Sequence, residues 1–254
     1  MRQFFKHFGS KARLAAILPP PRHRTIIEPF AGSAAYSVQH ATPKHQVLLY
    51  DTDERVCTIW DYLIHVSEAE VRSLPVEHFL RGGDIREAGL TPSQYQLIHR
   101  WMGITGTGQY KIPPSLLADR EGEAGNVWSE RVRDRIASQL KYIRKWEIRN
   151  EPHTAAPDIE AHWHIDPPYQ GNAVGFSVYK CAKLDYGELA TWCRARQGDI
   201  TVHEQHGATW LPFETLREKH TTNRTLEDKS RVYAHEVVWT NDRRDRTGTM
   251  ALGF

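Results

Sequence analysis

Two strand–turn–helix units follow one another near the amino end of the chain, and each strand ends at or beside a carboxylate. That succession predicts an α/β protein with a parallel, Rossmann-like sheet. The sheet pattern then fades over residues 68–144, where glycines and prolines interrupt helical patches, and it returns afterwards. The chain therefore reads as one α/β domain made of residues 1–67 and 145–254, with a mostly helical insertion at 68–144.

Each element has a local reason. Gly9-Ser10-Lys11 makes a turn into a short apolar helix that Pro19-Pro20-Pro21 ends. Thr25-Ile26-Ile27 is a buried-type strand running into Glu28-Pro29-Phe30-Ala31-Gly32-Ser33-Ala34-Ala35, after which a helix is expected over 35–40. Gln46-Val47-Leu48-Leu49-Tyr50 is a second strand; it ends at Asp51, with Asp53 following and a helix over 54–65. Within the insertion, residues 93–101 and 129–146 carry the best helical patterns. The sheet is expected to resume with Trp163 to Asp166 and again at 199–203, with a helix over 184–195 between them. Residues 231–239 alternate like a strand, with Val232, Ala234, Glu236 and Val238 on one side, and 249–252 suggests a last one.

Bulk composition narrows the function classes. The 254 residues carry 33 basic and 31 acidic side chains for a formal charge of +2, so a nucleic-acid surface would have to come from local clustering. Three cysteines without a CxxC pair argue against a disulfide framework and against a zinc site, and point to a reducing compartment. No stretch is long and apolar enough to span a membrane, which sets the expectation of a cytoplasmic protein. The pairs His162/His164 and His203/His206 lack HExxH spacing, and no metal is expected.

The chemistry concentrates in two stretches. In Trp163-His164-Ile165-Asp166-Pro167-Pro168-Tyr169, the prolines lack an N–H and hold φ near −65°, so the strand must stop at Asp166 and leave a stiff loop. At the carboxyl edge of an open α/β sheet that is where ligands bind. A carboxylate, backbone carbonyls and an aromatic face accept hydrogen bonds and stack on a flat ring, as an exocyclic amine on a base requires. The second stretch is the small-residue turn at Ala31-Gly32, which lets backbone approach a ligand at a helix N-terminus. It is neither GxGxxG nor a P-loop. Glu28 before it disfavours phosphates, and Asp51 stands where an acidic residue can hold ribose hydroxyls. A nucleoside with an amino-acid tail and a positive charge satisfies both, and S-adenosylmethionine is that molecule.

Glu28-Pro29-Phe30-Ala31-Gly32, then Asp51-x-Asp53, an intervening module and Asp166-Pro167-Pro168-Tyr169 resemble the Dam-like DNA adenine-N6 methyltransferases of the α group. The likeness extends over most of the chain. Gly9-Ser10-Lys11 is similar to the family's amino-terminal Gly-Gly-Lys. The region from Arg100 to Pro114, with Gly103, Gly108-Gln109-Tyr110 and Pro113, is similar to its Asn-Gly…Gly-x-Phe-Asn-x-Pro. Phe176-Ser177-x-Tyr179 is similar to Phe-Thr-x-Tyr, and Glu236-Val237-Val238-Trp239-Thr240-Asn241 to Glu-x-Leu-x-x-Asn. Two places depart. Trp146-Glu147-Ile148-Arg149-Asn150-Glu151 stands where the family has Gly-Asp-Phe, and His203-Glu204-Gln205-His206 where it has Ser-Asn.

The resemblance implies an S-adenosylmethionine-dependent methyltransferase sheet with residues 68–144 as a target-recognition region. It implies a DNA methyltransferase acting on a flipped adenine in double-stranded DNA, in a bacterial or phage-infected cell. Lys11, Glu28, Pro29, Phe30, Ala31, Gly32, Asp51, Asp53 and Asp166 are then expected at the cofactor. Asp166, Pro167, Pro168 and Tyr169 are expected to carry the chemistry, with Tyr169, Phe176 and Tyr179 around the base. The basic run that includes Arg131 and Arg135 is expected either at DNA phosphates or on a solvated helix face. Alternatives that keep the motif are cytosine N4, RNA or a modified base, and a non-catalytic DNA-binding protein derived from a methyltransferase.

Overall fold

A computed structural model of the chain describes residues 1–103, 106, 108–117, 127–170, 184–220 and 233–241. In order, the strands are β1 (Thr25–Glu28), β2 (Gln46–Tyr50), β3 (Trp146–Arg149), β4 (Ala161–Ile165), β5 (Gly198–Gln205), β6 (Glu214–His220) and β7 (Tyr233–Thr240). The helices are α1 (Ala12–Ala15), α2 (Ala35–His40), α3 (Glu54–His65), α4 (Glu68–Ser73), α5 (Glu77–Leu80), α6 (Pro92–His99), α7 (Pro114–Leu117), α8 (Glu130–Gln139) and α9 (Tyr186–Arg194).

The strands form one mixed sheet in the order β3-β2-β1-β4-β5-β7-β6. The first five are parallel, and β7 and β6 close the far edge as an antiparallel pair. From β1 the chain winds outward through β2 to β3, whereas β4 leads the other way to β5. The loops leaving β1 and β4 therefore diverge and open a crevice at the carboxyl edge. Register places Ile27 beside Trp163, so the turn after Glu28 and the loop at Asp166 leave neighbouring strands.

Helix α3 shows why the pattern folds. Val56, Ile59, Trp60, Leu63 and Ile64 recur at helical spacing and are buried, and the Asp53 side chain caps the amino end by accepting from Arg55 N–H. One core cluster joins Ile26, Val47, Leu49, Tyr36 and Trp60 to Phe4, Phe5, Leu97, Trp101, Trp128 and Ile136. The apolar side chains of the insertion thus pack as a continuation of the sheet core. On the opposite face a second cluster gathers Ile27, Leu48, Trp163, Ile165, Leu189, Cys193, Ile200 and Val202 beneath α9.

Two stretches differ from the sequence expectation. The helix expected over 129–146 ends at Gln139, passes through one 3₁₀ turn (Leu140–Tyr142), and Trp146 opens strand β3. The edge of β2 decides this: Val47 pairs with Trp146 and Leu49 with Ile148, so sheet pairing overrides local helical character. Strand β6 was not expected, because Glu214, Arg217, Glu218 and Lys219 mask its strand pattern, as charges on edge strands do. The possible strand at 249–252 lies outside the described residues, as do Phe176 and Tyr179. Among the described residues, no helix is long and apolar enough to cross a membrane.

Candidate active site

The turn after β1 is built from small residues because it is tightly held. Ala31 N–H donates to the Tyr50 carbonyl at 2.9 Å, and Gly32 N–H donates to Asp51 Oδ2 at 2.9 Å. Asp51 also receives Asp53 N–H on Oδ1 at 2.8 Å, and burial pushes its carboxyl up to about 6. Gly32 has φ +45°, the left-handed region, and a Cβ there would come within 3.0 Å of the His7 ring. Its carbonyl accepts Trp60 Nε1–H at 2.9 Å, which ties the turn to α3. Pro29 and Ala31 are buried, while Phe30 is half-buried and stacks on His153 at 5.1 Å.

Glu28 lies deeper than its sequence position suggested. Its carboxyl is buried, and Oε1 accepts the Ser37 N–H of α2 at 2.7 Å. Ala34, just before the helix, offers no side-chain cap, so Glu28 caps it from the strand. Burial pushes the Glu28 carboxyl up to about 8. Asp53 is occupied elsewhere: Arg55 binds both its oxygens, at 2.8 and 2.5 Å, and Arg100 stands 3.9 Å away. Burial would raise its carboxyl, but these partners hold it below the ordinary value.

The Asp166 loop leaves β4 across the crevice. Lys11 reaches it because the amino-terminal segment docks on the β1 turn, where Ser33 Oγ–H donates to Ser10 Oγ at 2.8 Å. Lys11 Nζ lies 3.9 Å from Asp166 Oδ1, 3.5 Å from Glu236 Oε1 and 4.4 Å from the centre of the Tyr169 ring. The Tyr169 hydroxyl donates to Glu236 Oε2 at 2.7 Å. Burial pushes the Asp166 carboxyl up to about 6; Lys11 draws it down, whereas Glu236 and Glu204 push it up.

The rest of the loop is pinned. Tyr186 Oη–H donates to the Pro168 carbonyl at 2.7 Å. Fully buried Glu204 accepts Gln170 N–H at 3.0 Å, Trp210 Nε1–H at 2.9 Å and Gln205 N–H at 2.8 Å.

The structure thus gathers Lys11, Asp166 and Tyr169 at one point, with the Pro29-to-Gly32 turn and Asp51 on the adjoining strands. It separates Arg131 from Arg135. Arg131 is exposed on α8, whereas Arg135 donates to the Gln3 carbonyl at 2.9 Å and lies over the Trp101 ring at 5.4 Å. Sequence reasoning assigned no role to Glu204, Glu236, Tyr186 or Trp210. Glu236 left a signal, a carboxylate in the otherwise apolar row of Val232, Ala234 and Val238. Among the described residues, no group of three or more histidine, cysteine, aspartate or glutamate side chains is arranged to hold a metal ion. No protein-family model matches the chain, and no curated protein matches its sequence.

Proposed function

We propose that this protein methylates the exocyclic N6 amine of a flipped adenine in duplex DNA, with S-adenosylmethionine as donor. The observation that carries the reading is Asp166. A largely shielded carboxylate followed by two prolines and an aromatic ring stands at the point where the strand order reverses, on the strand next to the one that carries the small-residue turn. Asp51, Asp166, Glu204 and Glu236 make the surroundings rich in carboxyl groups. Such a crevice suits a cation and N–H donors and repels phosphates.

The residues present fit the cofactor on the chemistry of their donors. Asp51 keeps acceptor capacity beyond its two amide bonds for ribose hydroxyls, and the Ala31-Gly32 backbone allows close approach. Lys11, Glu28, Pro29, Phe30 and Asp166 surround that turn, and Asp53 supports it through α3. When bound, S-adenosylmethionine supplies an electrophilic methyl group on a sulfonium.

The chain's own work falls on the acceptor. An aromatic amine is a poor nucleophile because its lone pair is delocalised into the ring. Asp166 and the Pro167 carbonyl accept its two N–H groups, which localises the lone pair, while the Tyr169 ring supports the flat base. The Asp166 carboxyl, raised to about 6, then takes the proton that the amine sheds. Such a base must leave the duplex first. On the insertion, exposed Tyr110 carries the Arg86 guanidinium at 4.2 Å over its ring, a surface suited to nucleic acid.

The test is incubation with tritiated S-adenosylmethionine and unmodified duplex DNA, then nucleoside chromatography, beside an Asp166→Ala sample. Label in N6-methyladenine that drops by ~10²-fold or more in the variant is the expected result. Label in N4-methylcytosine moves the target. Cofactor binding without transfer to DNA refutes the reaction, and no cofactor binding refutes the site.

A further inference from the structure

Glu236 belongs to the antiparallel end of the sheet, on β7, yet its carboxylate reaches the loop that leaves β4. Oε2 accepts the Tyr169 hydroxyl at 2.7 Å, and Oε1 lies 3.5 Å from Lys11 Nζ. Lys11 closes the ring of contacts through Asp166 Oδ1 at 3.9 Å and the Tyr169 ring at 4.4 Å. Three side chains from two distant stretches thus meet around the Lys11 ammonium. All of this is largely shielded from solvent: the Lys11 side chain is 11% exposed, Glu236 17% and Asp166 22%.

We propose that Glu236 is the positioning residue of this site, holding the Tyr169 ring and the Lys11 ammonium in place beside Asp166. The proposal rests on the reading of Asp166 to Tyr169 as the amine-binding motif. Two physical effects follow from one carboxylate. A charge-assisted hydrogen bond to the phenol fixes the ring's plane, which a free tyrosine would sample widely. The same negative charge, close to Asp166 across Lys11, opposes ionisation of Asp166, while Lys11 favours it. Glu28 from β1, Glu204 from β5 and the Tyr169 hydroxyl also face this carboxyl; replacing Glu236 leaves the two glutamates in place, and the glutamine variant keeps an acceptor for the Tyr169 hydroxyl.

The two effects separate by substitution. Glu236→Gln removes the charge and keeps an acceptor for Tyr169. Glu236→Ala removes both, and Glu236→Asp keeps the charge while withdrawing it by one methylene. Lys11→Met reverses the electrostatic sign. The measurement is the titration of the Asp166 carboxyl by carbon-13 NMR of the full chain, with the resonance identified by its loss in Asp166→Asn. Tyrosine labelled at Cζ reports the phenol.

The expected result is an Asp166 midpoint lower by about one pH unit in Glu236→Gln and higher in Lys11→Met. The Tyr169 Cζ signal should move in Glu236→Ala and stay near its original position in Glu236→Gln. In methyl transfer, Glu236→Gln should shift the acid limb of kcat/KM to lower pH. Glu236→Ala should in addition lose ~10-fold in kcat, which the glutamine variant restores. Unmoved Asp166 midpoints in both charge variants would overturn the proposal, whatever the enzyme's activity. Shifted midpoints without methyl transfer to any nucleic acid would uphold the network and refute the reaction reading.

Discussion

Gly32 illustrates how little freedom a single position in this site has. Its φ of +45° is costly for a residue with a side chain, and a Cβ would meet His7 at 3.0 Å. Gly32→Ala is expected to cost about 1–2 kcal/mol in denaturant unfolding. It should also weaken S-adenosylmethionine binding in calorimetry, because the strained turn carries the Gly32–Asp51 bond. A variant with unchanged stability and affinity would show that the turn relaxes freely. Glu28 teaches a different lesson at the same scale. Its place before the turn was legible, but its burial and its bond to Ser37 were not, because α2 lacks a side-chain cap of its own. In the proposed reaction Asp166 must be ionised to accept N–H groups, so methyl transfer should rise with pH through about 6.

Among the elements, α8 separates what composition can and cannot say. Its basic run was readable, but position around the helix decides each charge's use. Arg135 faces inward and holds the amino-terminal segment at Gln3, and burial pulls its guanidinium down to about 10. Just beyond the helix, Arg144 donates to the Ile64 and Val66 carbonyls at 2.5 Å and so closes the carboxyl end of α3. Arg131 remains exposed. Arg131→Ala should therefore reduce the salt slope of DNA binding by about 1 with stability unchanged. Arg135→Ala should instead destabilise the fold by about 1–3 kcal/mol. Equal salt slopes in wild type and Arg131→Ala would remove this residue from the DNA surface. Strand β3 carries the complementary point. Trp146 reads as the end of a helix until β2 supplies an open edge, which takes Trp146 and Ile148 into the sheet.

Over the whole molecule, the least expected feature is a column of rings between the sheet and α2. Tyr36 stacks on His162 at 4.6 Å and on His164 at 4.7 Å, and His164 meets His203 at 4.6 Å. Both ring nitrogens of His162 and His203, and Nδ1 of His164, have no hydrogen-bond partner among the described residues. Burial lowers His162 to about 4 and His203 to about 3, and lowers His164 well below its ordinary value. Because the folded values lie below the unfolded one, the stability these rings contribute is full above about 6.5 and is lost as pH falls. Asp51 and Asp166, raised to about 6, act in the opposite sense: the stability they contribute is lost as pH rises. The melting temperature should accordingly fall less between pH 7 and pH 4.5 in His203→Leu than in wild type. Parallel pH profiles would show that the column does not govern acid lability.

What the sequence determined by itself is local: the first two strand–turn–helix units, the stop of β4 at Asp166 before two prolines, and the small-residue turn after β1. Each rests on periodicity, on a fixed φ or on a missing side chain, and these act within a few residues. Only the tertiary structure decided that β1 lies beside β4, that β7 brings Glu236 to Tyr169 and Lys11, and that Arg135 turns inward. Those outcomes depend on strand order, register and the competition of distant segments for one core. No short stretch of chain encodes them, because the free energy that settles them is shared among contacts far apart in sequence.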